Sequence, residues 1–148
     1  MDSIIQGIAI YALPVIFAIT LHEAAHGYAA KHFGDFTAHN EGRISLNPIR
    51  HIDPVGTILV PLSLFIISKI TMGAGFLFGW AKPVPVNFSN LRHPKRDMLW
   101  VAVAGPSANL LMAILWAIVI KLAIAVPESN LAKPAVLMGI AGIEINII

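Results

Sequence analysis

The chain contains no cysteine. Disulfides and thiolate metal sites are therefore excluded, and any metal must be held by nitrogen and oxygen. Charge is also scarce. Asp, Glu, Lys and Arg make up 12% of the 148 residues, against about 25% in an ordinary soluble chain. Too few polar residues are present to cover a soluble surface. With 57% apolar residues and a mean hydropathy of +0.76, the expected solvent is the bilayer. The opening MDSIIQG has no basic n-region, so the first apolar run is expected to stay in the mature protein rather than be cleaved as a signal peptide. No internal repeat or low-complexity tract is present. The net charge of +2 does not point to nucleic acid. The basic residues sit in short loops between apolar runs, where membrane proteins keep them.

What is present is four apolar segments. The first, Ile4 to Ala30, would span roughly 40 Å as a helix, more than the hydrocarbon core of about 30 Å. Pro14 should kink it. The second runs from Val55 to Met72, with Asp53 as N-cap, Pro54 in the first turn and Lys69 snorkelling outward at its far end. The third, Met98 to Val126, is expected to be interrupted at Gly105 and Pro106. The fourth begins after Pro134 and is still apolar at Ile148. It has neither the length of a span nor a stop signal. It is expected to be a membrane helix cut short, and to dock poorly for that reason.

These segments predict an all-α membrane protein. It would be a single membrane-embedded core over residues 1–148, a bundle of about four transmembrane helices, the last incomplete, with extended loop segments. Residues 34–54 are polar and rich in turn formers, extended near Arg43 to Leu46. Residues 79–97 contain Pro83, Pro85 and Pro94. The KPVPVN stretch alternates and cannot be helical, so it reads as an edge strand or extended arm. As an arm it is structural, or it pairs with an extended substrate. Following two successive spans, these two loops are expected on opposite faces of the membrane, and their basic residues then fail to fix orientation. Asn87-Phe88-Ser89 matches a glycosylation acceptor, but a turn role is the simpler reading.

The chemistry lies in HEAAH. Residues four apart share one helix face, so His22 and His26 can grip one metal ion. Glu23 is turned about 100° away from His22, in reach of a water without being a ligand. Zinc brings the pKa of water toward 7, and a carboxylate can take the proton. An exposed helix face could carry the same pattern in a soluble chain. Within a membrane, a central charge costs roughly 2.5–3.5 kcal/mol even on the lenient scale, and such residues persist where they face a protein interior or a wet cavity. Ala24, Ala25, Gly27, Ala29 and Ala30 allow neighbouring helices to approach.

The blocks HEAAHGYAAKHFGDFTAHNEGRISLNPIRHIDPVGT, FGWAKPVPVN and AGPSANLLMA together resemble the site-2 protease family of intramembrane zinc metalloproteases, in particular its small bacterial and archaeal members. The resemblance runs from about residue 15 to residue 115. It implies zinc as cofactor, His22 and His26 as metal ligands and Glu23 as general base. The substrate it implies is a transmembrane or membrane-adjacent peptide, and the location a bacterial or archaeal cell membrane. It also implies that Asn109 donates to the peptide carbonyl or oxyanion; an interhelical hydrogen bond is the alternative. The sequence departs from the family in lacking a leucine-aspartate-glycine motif for the third ligand. That aspartate is expected beyond Ile148, with Glu144 as a less favoured substitute. His51 and Asp53 form an H-x-D pair, though capping is the stronger reading of Asp53. His32, His39 and His93 are expected to be solvated or interfacial. A competing class is a non-catalytic metal-binding membrane protein, either a divalent-cation transporter or an inactive homologue.

Overall fold

The computed structural model describes residues 2–73 and 78–147, with side chains from residue 9 onward. Apolar helices dominate because every backbone polar group in lipid must be satisfied within its own segment. Helix α1 spans Asp2–His32 and contains Pro14 without a break. A short helix α2 (Thr37–Asn40) and a 3₁₀ turn (Pro48–His51) follow. Asp53 then caps a π turn (Pro54–Leu59), its Oδ1 accepting from the Val55 and Gly56 N–H groups at 2.9 and 2.7 Å. Helix α3 (Val60–Met72) continues from that turn and ends at Gly73 in the left-handed conformation, φ 71°. After an extended arm come a 3₁₀ turn (Phe88–Asn90), helix α4 (Pro94–Ala125) and helix α5 (Ala132–Ile147). No strand occurs among the described residues. The extended arm reading of KPVPVN therefore holds over the strand reading.

Three stretches are long and apolar enough to cross a membrane: Ala9–His32, Pro54–Met72 and Pro94–Ala125. Together with the absence of strands, this makes the chain an all-α membrane protein. Pro106 does not interrupt α4. It removes one backbone donor, but the helix runs on through it.

Two further expectations are corrected. The fourth segment docks well despite its 16 residues. Helix α5 packs against both α4 and α1. Gly139 and Gly142 lie against Ile120 and Trp116, where an added Cβ would collide with either side chain. Close approach of small residues, not span length, decides docking here. The outlier is α3, which forms no interface with α1, α4 or α5 among the described residues.

The second correction concerns sidedness. The two polar loops lie on one face, not on opposite faces. By Trp80 the chain is back at the start of the second span, its N–H donating to the Gly56 carbonyl at 3.0 Å. Lys82 N–H then donates to His51 O at 2.9 Å, and Arg92 N–H to Phe33 O at 3.0 Å. The Arg43 guanidinium holds Lys82 O and Pro83 O. Counting spans assigned the loop to the wrong face because the arm brings the chain back before α4 begins.

Candidate metal centre

Helix α1 carries His22, Glu23 and His26 in its second half. At 1.5 Å per residue, His26 and His22 lie about 9 and 15 Å along the helix from its His32 end. Helix periodicity puts both imidazoles on one face, and their Nε2 atoms are 3.0 Å apart. His26 Nδ1 is 2.7 Å from the Val101 carbonyl on α4. A carbonyl only accepts, so Nδ1 carries the proton and Nε2 of the neutral ring presents its lone pair. This is the outer hydrogen bond that orients a metal-ligating histidine.

The fit to zinc follows from these positions. Two nitrogens each about 2.0–2.1 Å from one zinc, at near-tetrahedral angles, sit about 3.3 Å apart; the observed 3.0 Å is close to that. Gly105 of α4 lies beside the pair. A Cβ there would come to 2.5 Å from His22 Nε2 and would crowd His26 Nε2 as well. The glycine thus leaves room at the two nitrogens that any side chain would fill. Asn109, one turn further along α4, lies beside His22. His22 Nδ1 and Asn109 Oδ1 are both buried and fall outside normal hydrogen-bond geometry, but the Asn109 side chain is close enough to interact with the His22 ring. The pair fits a zinc ion. The ligand set is not complete, since no group of three His, Asp or Glu residues comes together among the described residues.

The remaining candidates fall elsewhere. Glu144 is exposed on α5 and joins no metal-binding trio. Asp53 is occupied as a cap. His51 is fully buried, with Nε2 donating to Ser45 O at 2.7 Å, a structural clasp of its loop. His32, His39 and His93 are exposed as expected.

Sequence reading missed the contact on Glu23. Its Oε2 accepts the Val84 N–H at 2.8 Å, across 61 positions of sequence. Val84 lies in the arm, buried against α1. Gly27 makes that approach possible: a Cβ there would lie 2.9 Å from Ile44 Cγ1 and 3.2 Å from Val84 Cγ1. The arm is anchored further on by Asp35, which is fully buried. Its Oδ2 accepts from Asn87 N–H at 2.6 Å, and its Oδ1 from Thr37 N–H, Thr37 Oγ1 and Asn90 Nδ2 at 3.0, 2.5 and 3.2 Å. Burial pushes the Asp35 carboxyl pKa upward, but these hydrogen bonds outweigh it and the net direction is down. The signal in the sequence was the lone N–H between two prolines, which has to find an acceptor once buried.

An all-helical membrane protein with a paired-histidine cradle and an adjacent held carboxylate is the class these features define. Comparison with known proteins agrees. The protein named "Putative zinc metalloprotease YwhC" of Bacillus subtilis (strain 168) is 44% identical over 101 residues, which covers 68% of this chain and 40% of that protein. "Putative zinc metalloprotease Rip2" of Mycolicibacterium smegmatis (strain ATCC 700084 / mc(2)155) is 26% identical over 100 residues, covering 68% of this chain and 35% of that protein. The chain is a homologue of these proteins named as zinc metalloproteases, and it spans less than half of their length. No family model and no solved structure matches the chain.

Proposed function

We propose that this chain is the zinc-binding core of an intramembrane endopeptidase of the site-2 protease type. It would hydrolyse peptide bonds in or near transmembrane segments. The observation that carries this reading is the convergence of His22 Nε2 and His26 Nε2 at 3.0 Å beside the Glu23 carboxylate, on a helix long enough to cross a membrane. Zinc, when bound, supplies Lewis acidity, acidifying water and polarising a carbonyl. His22 and His26 hold it, and His26 is kept in its ligating tautomer by Val101 O. Glu23 Oε1 takes the proton of the attacking water and returns it to the leaving amine. Asn109 donates its amide N–H to the scissile carbonyl oxygen as that atom gains charge.

The face also proposes an orientation. Lys31, Arg43, Arg50, Lys82, Arg92, Lys95 and Arg96 lie on the site's side, leaving only Lys69, Lys121 and Lys133 of the 10 Lys and Arg residues for the other. The positive-inside rule then makes the site's side cytoplasmic. The cysteine-free chain suits a direct test. A single cysteine at exposed Asn40 should resist an impermeant maleimide added outside intact cells, and one at exposed Ser129 should react; the reverse pattern overturns the orientation.

The incomplete ligand set favours one second reading, a metal-binding membrane protein without peptidase activity. Purified protein with Glu23→Gln separates the two. The peptidase reading expects zinc retained and cleavage of a single-span peptide lost. Cleavage at the wild-type rate sinks it.

A further inference from the structure

We propose that the arm around Val84 is a positioning device for the Glu23 carboxylate, with Val84, Arg43 and Asp35 as its working residues. The proposal rests on the reading of Glu23 as the base and assigns a role to two sequence blocks, GDFTAHNEGR and KPVPVN, that the metal site leaves unused.

The donors available to the arm are few. Pro83 and Pro85 have no N–H. Lys82 N–H is used on His51 O and Asn87 N–H on Asp35 Oδ2. Between the two prolines only Val84 offers a donor, and it points at Glu23 Oε2. The prolines also stiffen the arm. Each fixes its own φ, and each confines the residue before it, Lys82 or Val84, to extended conformations. The N–H is therefore presented by a backbone with little freedom to turn away.

Both flanks of Val84 are held. Arg43 Nη2 donates to Lys82 O at 3.0 Å and Pro83 O at 3.3 Å. Asp35 grips Asn87 and Asn90 on the other side. A glutamate side chain has three rotatable bonds, and a carboxylate free to rotate would spend much of its time out of line with the attacking water. Fixing Oε2 with a charge-assisted hydrogen bond leaves Oε1 for proton transfer in one orientation. Removal of such alignment costs rate rather than binding, on the order of 100-fold for a displacement of about 1 Å.

The test has two independent readouts on purified full-length protein. The first is amide hydrogen exchange. In Glu23→Ala, exchange at Val84 should accelerate at least tenfold, while Lys82 and Asn87 stay protected by His51 and Asp35. Unchanged protection at Val84 overturns the contact, whether or not the protein is a peptidase. The second is kinetic, with a single-span fluorogenic peptide. Val84→Pro removes the one N–H from an already extended proline run and should lower kcat about 100-fold, with KM and zinc content unchanged. Val84→Ala keeps the N–H and should stay within threefold of wild type. Val84→Pro should unfold at the same temperature as Val84→Ala; a lower unfolding temperature accompanying the kcat loss would show that it acts through the fold instead. If Val84→Pro leaves kcat unchanged while Glu23→Gln abolishes turnover, the positioning role is refuted and the base survives. If Glu23→Gln itself retains turnover, the positioning role fails together with the base, and exchange at Val84 then reports only a structural contact.

Discussion

Gly105→Ala should weaken zinc binding while leaving the helices assembled. The added methyl would sit 2.5 Å from His22 Nε2, whereas non-bonded carbon keeps about 3.5 Å. The shortfall is about 1 Å, several times the tolerance of about 0.2 Å on a metal–ligand distance. Either the imidazoles turn aside or α4 moves out. Movement of α4 also breaks the His26 bond to Val101 O, 2.7 Å long, so both routes spoil the ligand pair. Overpacking of this kind costs about 1–3 kcal/mol, and at about 1.4 kcal/mol per decade that predicts zinc binding weaker by about 5- to 140-fold. The assay is competition against a calibrated chelator on detergent-purified protein, with thermal unfolding measured in parallel without zinc. Gly142→Ala is the matched control. Its Cβ would collide with the Trp116 ring, far from either histidine. That variant should lose thermal stability yet hold zinc within twofold of wild type. Wild-type zinc affinity in Gly105→Ala, or an equal loss in Gly142→Ala, would refute the reasoning.

Other outcomes follow from the same geometry. The double variant His22→Ala, His26→Ala should bring zinc content to background, and wild-type stoichiometry would rule the site out. Asp35→Asn keeps the shape but leaves one of the buried N–H groups facing an amide instead of a carboxylate; a loss of about 1–3 kcal/mol is expected, read as faster exchange at Asn87, and unchanged exchange would remove Asp35 from the clasp. Because the Asp35 pKa is lowered on folding, its contribution is fully present above the unfolded value of about 3.9 and is lost as pH falls through the lower folded value. The protection factor at Asn87, its exchange rate relative to the intrinsic rate at the same pH, should hold steady from pH 6 to about pH 4 and then fall; a fall already complete above pH 5 contradicts the assignment.

Local rules carried the reading of α1. The four-residue spacing of His22 and His26 fixes them on one face of any helix, and the apolar run around them demands a helix in lipid. The capping role of Asp53 and the extended character of KPVPVN were legible for the same reason, since caps and proline act within a few residues of themselves. The helix ends were also close to expectation: α4 begins at Pro94, where the apolar pattern alone suggested Met98, because proline suits a first turn and Asp97 accepts the His93 N–H there at 2.7 Å.

What the sequence left open depends on contacts between distant residues. Alternation of spans placed the loops on opposite faces, but backbone hydrogen bonds from Trp80, Lys82 and Arg92 return the second loop to the first. No periodicity encodes that return. Length suggested a poorly docked α5, whereas glycines opposite Trp116 and Ile120 give it a close seat, and a glycine declares its partner only once the partner is beside it. Gly105 read only as an interruption of its segment until α4 crossed α1 at the histidines. Val84 is 61 positions from Glu23, and their hydrogen bond exists because Gly27, Ile44, Arg43 and Asp35 together hold the arm there. The sequence by itself determined that His22 and His26 share one face, through the geometry of a single helix. Only the tertiary structure decided what borders that face, because those neighbours are set by close packing between segments far apart in the chain.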